Sequence, residues 1–89
     1  MPRIAFTPQL RRFTDTPEFT SGATRLRVLL DEAFERNPVL RGYVLDDQGH
    51  LRPNVVIFVD GRRVADRIAL DEPLAAGSTV HVLQALSGG

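Results

Sequence analysis

The sequence predicts a small α+β domain in which one main helix packs across a mixed β-sheet. Three observations carry this. A single amphipathic stripe runs from Leu26 to Phe34, a β-branched run at Asn54–Val59 is closed by Asp60-Gly61, and alternating strands stand near both ends, at Arg3–Thr7 and Thr79–Leu83. With 89 residues and 43% hydrophobic content the chain fills one core of two layers, since a chain of this size buries only about 60–65% of the surface it exposes when unfolded.

In Arg3–Thr7, Ile4 and Phe6 point one way and Arg3, Ala5 and Thr7 the other, the pattern of a half-buried strand. Pro8 is expected to end it, with Leu10 and Phe13 as anchors of a connecting loop. After Thr14-Asp15-Thr16-Pro17, a second short strand is expected at Glu18–Ser21 with Phe19 inward, forming a hairpin with the first. Gly22 breaks that strand, and Thr24 is the expected N-cap of the helix. Leu26, Leu29, Leu30, Ala33 and Phe34 recur at i, i+3, i+4, i+7 and i+8, while Arg25, Arg27, Asp31, Glu32, Glu35 and Arg36 cover the opposite face. Asn37-Pro38 closes the helix, because a residue before proline is pushed out of the α region.

Leu40 is expected to pack under the helix end. Tyr43–Leu45 and His50–Arg52 flank the turn-rich Asp46–Gly49, which reads as a hairpin or a loose excursion. Asn54–Val59 is the strongest strand, and Asp60-Gly61 signals a tight turn with positive φ that returns Arg62–Val64 beside it. Ala65–Ser78 is expected to be irregular, anchored by Ile68, Leu70 and Leu74, with one helical turn at Glu72–Ala75 and a turn at Ala76–Ser78. Thr79–Leu83 is the closing strand, with Val80 and Val82 inward and His81 and Leu83 outward. If the first and last strands lie side by side and parallel, with the helix as the crossover, the arrangement is a β-grasp.

Composition narrows the function classes. The chain has no cysteine, so nothing points to a disulfide, a thiolate zinc site, a thiol nucleophile or a side-chain persulfide. Eleven basic and eleven acidic residues cancel, which leaves no electrostatic footprint for nucleic acid or an anionic membrane. Every basic residue is arginine, so the side chains offer no amine that a carboxylate could acylate; a GC-rich coding bias would account for the composition. Met1–Phe6 lacks a signal-like run and no apolar stretch approaches the length of a membrane span, so a cytoplasmic location is expected. His50 and His81 stand far apart with no cysteine near them, whereas a metal site needs three or four convergent ligands. Asp46-Asp47 and Asp71-Glu72 read as solvated turn residues, Arg62-Arg63 as solvent-facing, and no glycine-rich loop follows a strand into a helix to cradle a nucleotide.

Residues 1–83 are read as the domain and 84–89 as a flexible C-terminal tail. Gly88 and Gly89 carry no Cβ and so fit a channel too narrow for side chains. Extended, six residues reach roughly 20 Å, enough to place a terminal carboxylate inside another protein while the domain docks outside. A frayed terminus or an expression remnant would present the same residues.

The order of elements, the Asn54–Gly61 strand and turn, the Leu74–Val80 approach and the closing His81–Gly89 together resemble the ThiS/MoaD family of ubiquitin-like sulfur carriers, over essentially the whole chain. The last nine residues are similar in spacing to the ubiquitin ending, with histidine in the same place. The length and the Tyr43–Pro53 excursion depart from thiamine-pathway members and bring the chain nearer a molybdopterin-type or amino-acid-biosynthesis-type carrier. The resemblance implies a protein cosubstrate rather than an enzyme. It binds no cofactor; an E1-like partner uses ATP to adenylate Gly89, and a sulfur-donor protein converts it to a thiocarboxylate for an acceptor enzyme. Gly88 would give access, and Ala85, Leu86 and Ser87 would thread into the partner. Two other readings stay open: a modifier joined to target lysines through Gly89 by isopeptide bonds, and a β-grasp interaction module whose tail has no covalent role.

Alternation also assigns a docking face. With Val55, Ile57 and Val59 in the core, Val56 and Phe58 look the other way, so Phe58, His81 and Leu83 are expected on one exposed sheet surface at the root of the tail. In the competing arrangement the Tyr43–Arg52 excursion covers Phe58.

Overall fold

Alternating apolar residues turn the two ends of the domain into neighbouring strands. In the computed structural model, which describes residues 1–84, β1 (Arg3–Phe6) and β5 (Thr79–Gln84) run parallel, with Ile4 opposite Val80 and Phe6 opposite Val82. β2 (Phe19–Thr20) pairs antiparallel with the outer side of β1, shorter than the expected Glu18–Ser21. On the other side of β5 lies β3 (Val55–Val59), antiparallel, followed by β4 (Arg62–Arg63). The five strands form one mixed sheet in the order β2-β1-β5-β3-β4. This is the expected β-grasp layout, with β5 extending one residue past Leu83 to Gln84, the partner of Val55. Ala85, Leu86, Ser87, Gly88 and Gly89 lie outside the described residues.

The main helix forms over Leu26–Arg36, and its stripe Leu26, Leu29, Leu30 and Ala33 is fully buried with Ile4, Val55, Ile57, Val80 and Val82 of the sheet. Burying each Leu, Ile or Val contributes about 1.5–3 kcal/mol relative to exposure. This one layer of contacts is therefore what opposes the chain entropy.

Two further helices appear where loops were expected, and both start on a proline. Pro8 does end β1, but it also opens a single-turn helix, Pro8–Arg11, whose Leu10 is buried while Phe13 just beyond it is exposed. Pro38 ends the main helix and opens another, Pro38–Val44. The reason is shared: proline lacks the N–H that a first helical residue does not use, and its fixed φ already suits a helix start. Asn37 serves both helices at their junction. Its carbonyl-side oxygen accepts from the Val39 N–H (3.2 Å), and its amide nitrogen donates to Thr14 Oγ1 (2.7 Å) and the Asp15 carbonyl (2.6 Å). Tyr43 is thus helical rather than a strand residue, and its ring stacks on Phe13 with centroids 5.5 Å apart. Of the two expected forms, a hairpin or a loose excursion, the segment is nearer the second, with a single antiparallel bridge between Leu45 and Leu51.

The expected cap and the expected helical turn both give way to one tertiary contact. The N-cap is Arg25, not Thr24, and no side chain caps it. Instead the Leu26 N–H donates to the Glu72 carbonyl (2.8 Å) and the Leu74 N–H to the Thr24 carbonyl (2.9 Å). Glu72–Ala75 therefore runs extended beside the helix start, bridged at Arg25 and Pro73, in place of a helical turn. An orphan helix N–H needs only an acceptor, and a backbone carbonyl serves as well as a side chain.

The irregular segment is held by polar clamps. Arg67 donates through Nη2 to the Val55 carbonyl (2.8 Å) and to the Arg52 carbonyl, while its own carbonyl accepts from Leu51 N–H (2.9 Å). Asp66 accepts from the Ile68 and Ala69 N–H groups, both at 3.0 Å, just before the fully buried Leu70, whose φ of 55° is left-handed. That conformation costs roughly 1–2 kcal/mol in a non-glycine residue, and burial of the leucine side chain offsets it.

Arg67→Ala should cost about 1–3 kcal/mol, the usual loss when a charged donor leaves two carbonyls unmatched, seen as a lower urea midpoint with an unchanged m value. Three carboxylates are held below their ordinary range by backbone N–H donors: Asp46 chiefly by His50, Asp60 by Thr79 and Asp66 by Ile68. A depressed folded-state pKa adds stability above the unfolded value of about 3.9 that is lost as pH falls through the folded value. Thermal melts should therefore show Tm level from about pH 7 to 5 and falling below about pH 4. Asp60→Asn should lower Tm at pH 7 and flatten that fall.

Candidate functional site

The face opposite the helices is built by the register of β3 and β5. The apolar run Val55-Val56-Ile57-Phe58-Val59 would pack well on either side, so its neighbours decide which residues turn inward. Asp60 (φ 52°) and Gly61 (φ 81°) make the two-residue turn that sets Val59 opposite Arg62 and Phe58 opposite Arg63. The same Asp60 fixes the other neighbour. Its carboxylate accepts from the Thr79 N–H (2.8 Å) and the Ser78 hydroxyl (2.9 Å), and its N–H donates to the Thr79 carbonyl (2.9 Å). These contacts tie the hairpin to the head of β5, and from there the ladder runs Val59–Val80, Phe58–His81, Ile57–Val82, Val56–Leu83 and Val55–Gln84.

Phe58, His81 and Leu83 therefore share one face, as the alternation predicts. A row crosses the sheet from Ala5 through His81 and Phe58 to Arg63, with Val56 and Leu83 on the next rung. Residues directly opposite one another on a sheet have Cβ atoms about 4.5–5.5 Å apart, so these side chains form one continuous surface. His81 and Leu83 are exposed and Val56 and Phe58 half-buried. Val44, Leu45 and Leu51 of the Tyr43–Arg52 excursion are buried in the core cluster with the inward residues Val55, Ile57 and Val59. Leu83 immediately precedes the last described residue, so the face adjoins the end of the described part of β5. Alternation already turns Val56 to this side with Phe58, whereas Arg63 reads from the sequence only as solvent-facing. The signal for Arg63 was present, because a two-residue Asp-Gly turn puts the residue two after it opposite Phe58.

The remaining candidates stay apart. The Asp46 carboxylate is occupied as a turn acceptor, from Gln48 N–H (2.9 Å) and His50 N–H (3.0 Å). It lines a shallow polar hollow with Asp47, Gln48 and Arg52. Glu72 approaches Arg62 at 3.9 Å. Among the described residues no three His, Cys, Asp or Glu side chains converge as metal ligands, and no helix is long and apolar enough to cross a membrane. An apolar hollow of about 250 Å³, lined by Met1, Pro2, Gly22, Ala23, Leu74 and Ala75 among others, lies at the opposite end of β5 from Leu83.

The ThiS family model matches residues 4–89. A comparison with curated proteins finds no match. Among solved structures, the chain is similar to one in the BexX/CysO complex of Amycolatopsis orientalis, at TM-score 0.79 and 16% identity, covering 100% of both chains. It is similar to SAMP1 of Haloferax volcanii at TM-score 0.76 and 23% identity over 99% of this chain and 98% of that one. Small archaeal modifier protein 1 of Methanosarcina acetivorans matches at TM-score 0.76 and 19% identity over 99% and 95%. At these identities the likeness establishes the fold, a ubiquitin-like β-grasp.

The assignment of faces has a direct check. Phe58→Asp should stay folded and lose about 1 kcal/mol or less, as outward positions do. Ile57→Asp, one residue away, buries an unpaired carboxylate and should abolish the cooperative unfolding transition. Circular dichroism melts of the two variants compare them directly.

Proposed function

The chain belongs to the ThiS family, and from that membership we propose that it is a sulfur carrier whose Gly89 cycles between carboxylate and thiocarboxylate. The observation that carries this reading is a family match that runs through to Gly89, on a fold whose exposed face adjoins the end of β5. An α-carboxylate, with a pKa of about 3.3–3.7, is an anion at neutral pH and a poor electrophile. In this proposal an E1-like partner lets a Gly89 oxygen attack the α-phosphorus of ATP, releasing pyrophosphate and leaving an acyl adenylate. The terminal sulfur of a donor protein's persulfide then attacks the carbonyl carbon and AMP departs. A thiol cleaves the resulting acyl disulfide, freeing the thiocarboxylate and oxidising donor and thiol to a disulfide. Neither thiol comes from this chain, which has no cysteine. The chain itself does no acid–base work: Gly89 supplies the reacting atoms, Gly88 the access, and Ala85, Leu86 and Ser87 the stem that enters the partner. Tethering then places the nucleophilic sulfur against the acceptor enzyme's substrate, in the manner of an intramolecular reaction.

Phe58, His81 and Leu83 are the proposed docking face for the successive partners, in a cytoplasmic setting. An aromatic side chain ringed by apolar neighbours is the usual form of an interface hot spot. A second reading, a protein modifier joined to target lysines through Gly89, is favoured by the likeness to two small archaeal modifier proteins.

Intact-mass measurement after incubation with an E1-like adenylating enzyme, ATP and a persulfide donor separates the two. Exchange of one oxygen for sulfur on the chain is the expected result. Adducts on other proteins would favour the modifier, and an unchanged mass would overturn both. Gly88→Val should abolish the mass change. Phe58→Asp should slow it about tenfold or more, equivalent to about 1.4 kcal/mol of lost docking.

A further inference from the structure

The proposed docking face carries one arginine that no acidic side chain among the described residues answers. The chain is neutral as a whole, yet its five described strands contain no Asp or Glu; all eleven side-chain carboxylates lie in the helices, loops and turns. Three arginines stand in the strands, and two are already engaged. Arg3 pairs with Glu18, and Arg62, across from the inward-facing Val59, approaches Glu72 at 3.9 Å. Arg63 is exposed, shares the outer face with Phe58 and His81, and has no ion-pair or side-chain hydrogen-bond partner among the described residues. The two carboxylates nearest in sequence are engaged elsewhere: Asp60 accepts from Ser78 and Thr79, and Asp66 from the Ile68 and Ala69 N–H groups.

We propose that Arg63 is the electrostatic anchor of this face, and that the protein docking there presents an apolar hollow for Phe58 and Leu83 with a carboxylate at its rim, opposite Arg63. The proposal rests on the docking face put forward above and adds the chemistry of the partner. A fixed guanidinium beside an apolar patch selects a carboxylate by paired N–H donation, and a like-charged surface is rejected. Nucleic acid and anionic membranes are disfavoured because they are held by many cations together, and here a single arginine without an ion-pair partner among the described residues stands opposite Phe58.

The test is an amide chemical-shift titration of the full chain with blocked peptides: Glu-Leu-Phe-Leu-Glu, its glutamine isostere and its lysine counterpart. The expected result is shifts centred on Val56, Phe58, Arg63, His81 and Leu83. The glutamate peptide should bind roughly three- to tenfold tighter than the glutamine one at low salt, with the gap closing as salt rises. Arg63→Gln should remove the preference and keep the weaker apolar binding, and Arg63→Glu should turn it toward the lysine peptide. The amide spectrum of each variant reports directly that it is folded. Equal binding of the peptides, shifts elsewhere, no binding at all, or a preference that survives Arg63→Gln would each overturn the proposal. So would the same footprint on phosphatidylglycerol vesicles with no preference among the peptides. None of these results bears on the thiocarboxylate reading, which is read from the mass at Gly89.

Discussion

The Asp60 carboxylate sets the register on which the rest of the molecule depends. It sits in a tight turn that aligns β4 with β3, and it accepts from Ser78 and Thr79 at the head of β5. A slip of one residue at either junction would carry Phe58 into the core and Ile57 or Val59 out of it. The lowered pKa of this group records the same fact in energetic form: the folded state prefers the charged acceptor because N–H and O–H donors already point at it.

From that register follows a division of the sheet. The inner face of β3 and β5 meets the stripe of Leu26–Arg36 and excludes water, while the outer face keeps half-buried and exposed apolar groups in a continuous row. The helical layer is held less by side-chain caps than by backbone contacts across the fold, between Thr24–Leu26 and Glu72–Leu74. Arg67 does similar work on the other side, where its guanidinium reaches the backbone just before and at the start of β3.

This separation suits a carrier. In the function proposed, chemistry falls to the terminal glycines and recognition to the outer sheet face, which adjoins the end of the described strand β5. The absence of lysine fits the same division. Guanidinium groups stay protonated at any physiological pH, so under the proposed function a neighbouring copy's activated carboxyl would meet no side-chain amine on this chain.

What the sequence by itself determined were the features with one strong local signal. The stripe from Leu26 to Phe34 has a single helical solution, Asp60-Gly61 a single turn, and the alternation at Arg3–Phe6 and Thr79–Leu83 placed Phe58, His81 and Leu83 together through their neighbours. Features whose local signal has two meanings were left to the tertiary structure. Pro8 and Pro38 each read as an end, and each is also a beginning, because a missing N–H terminates one element and suits the first turn of the next. Thr24 is a good cap by residue type, but the Glu72 carbonyl, remote in sequence, reaches the helix start. Arg63 reads as solvent-facing from its composition alone. Only the pairing across Asp60-Gly61, and the placement of Glu18 beside Arg3 and of Glu72 beside Arg62, left it beside Phe58 without an ion-pair partner among the described residues. Local propensity is set by neighbours within a turn or two, whereas a shared face and an available acceptor are properties of the packed chain.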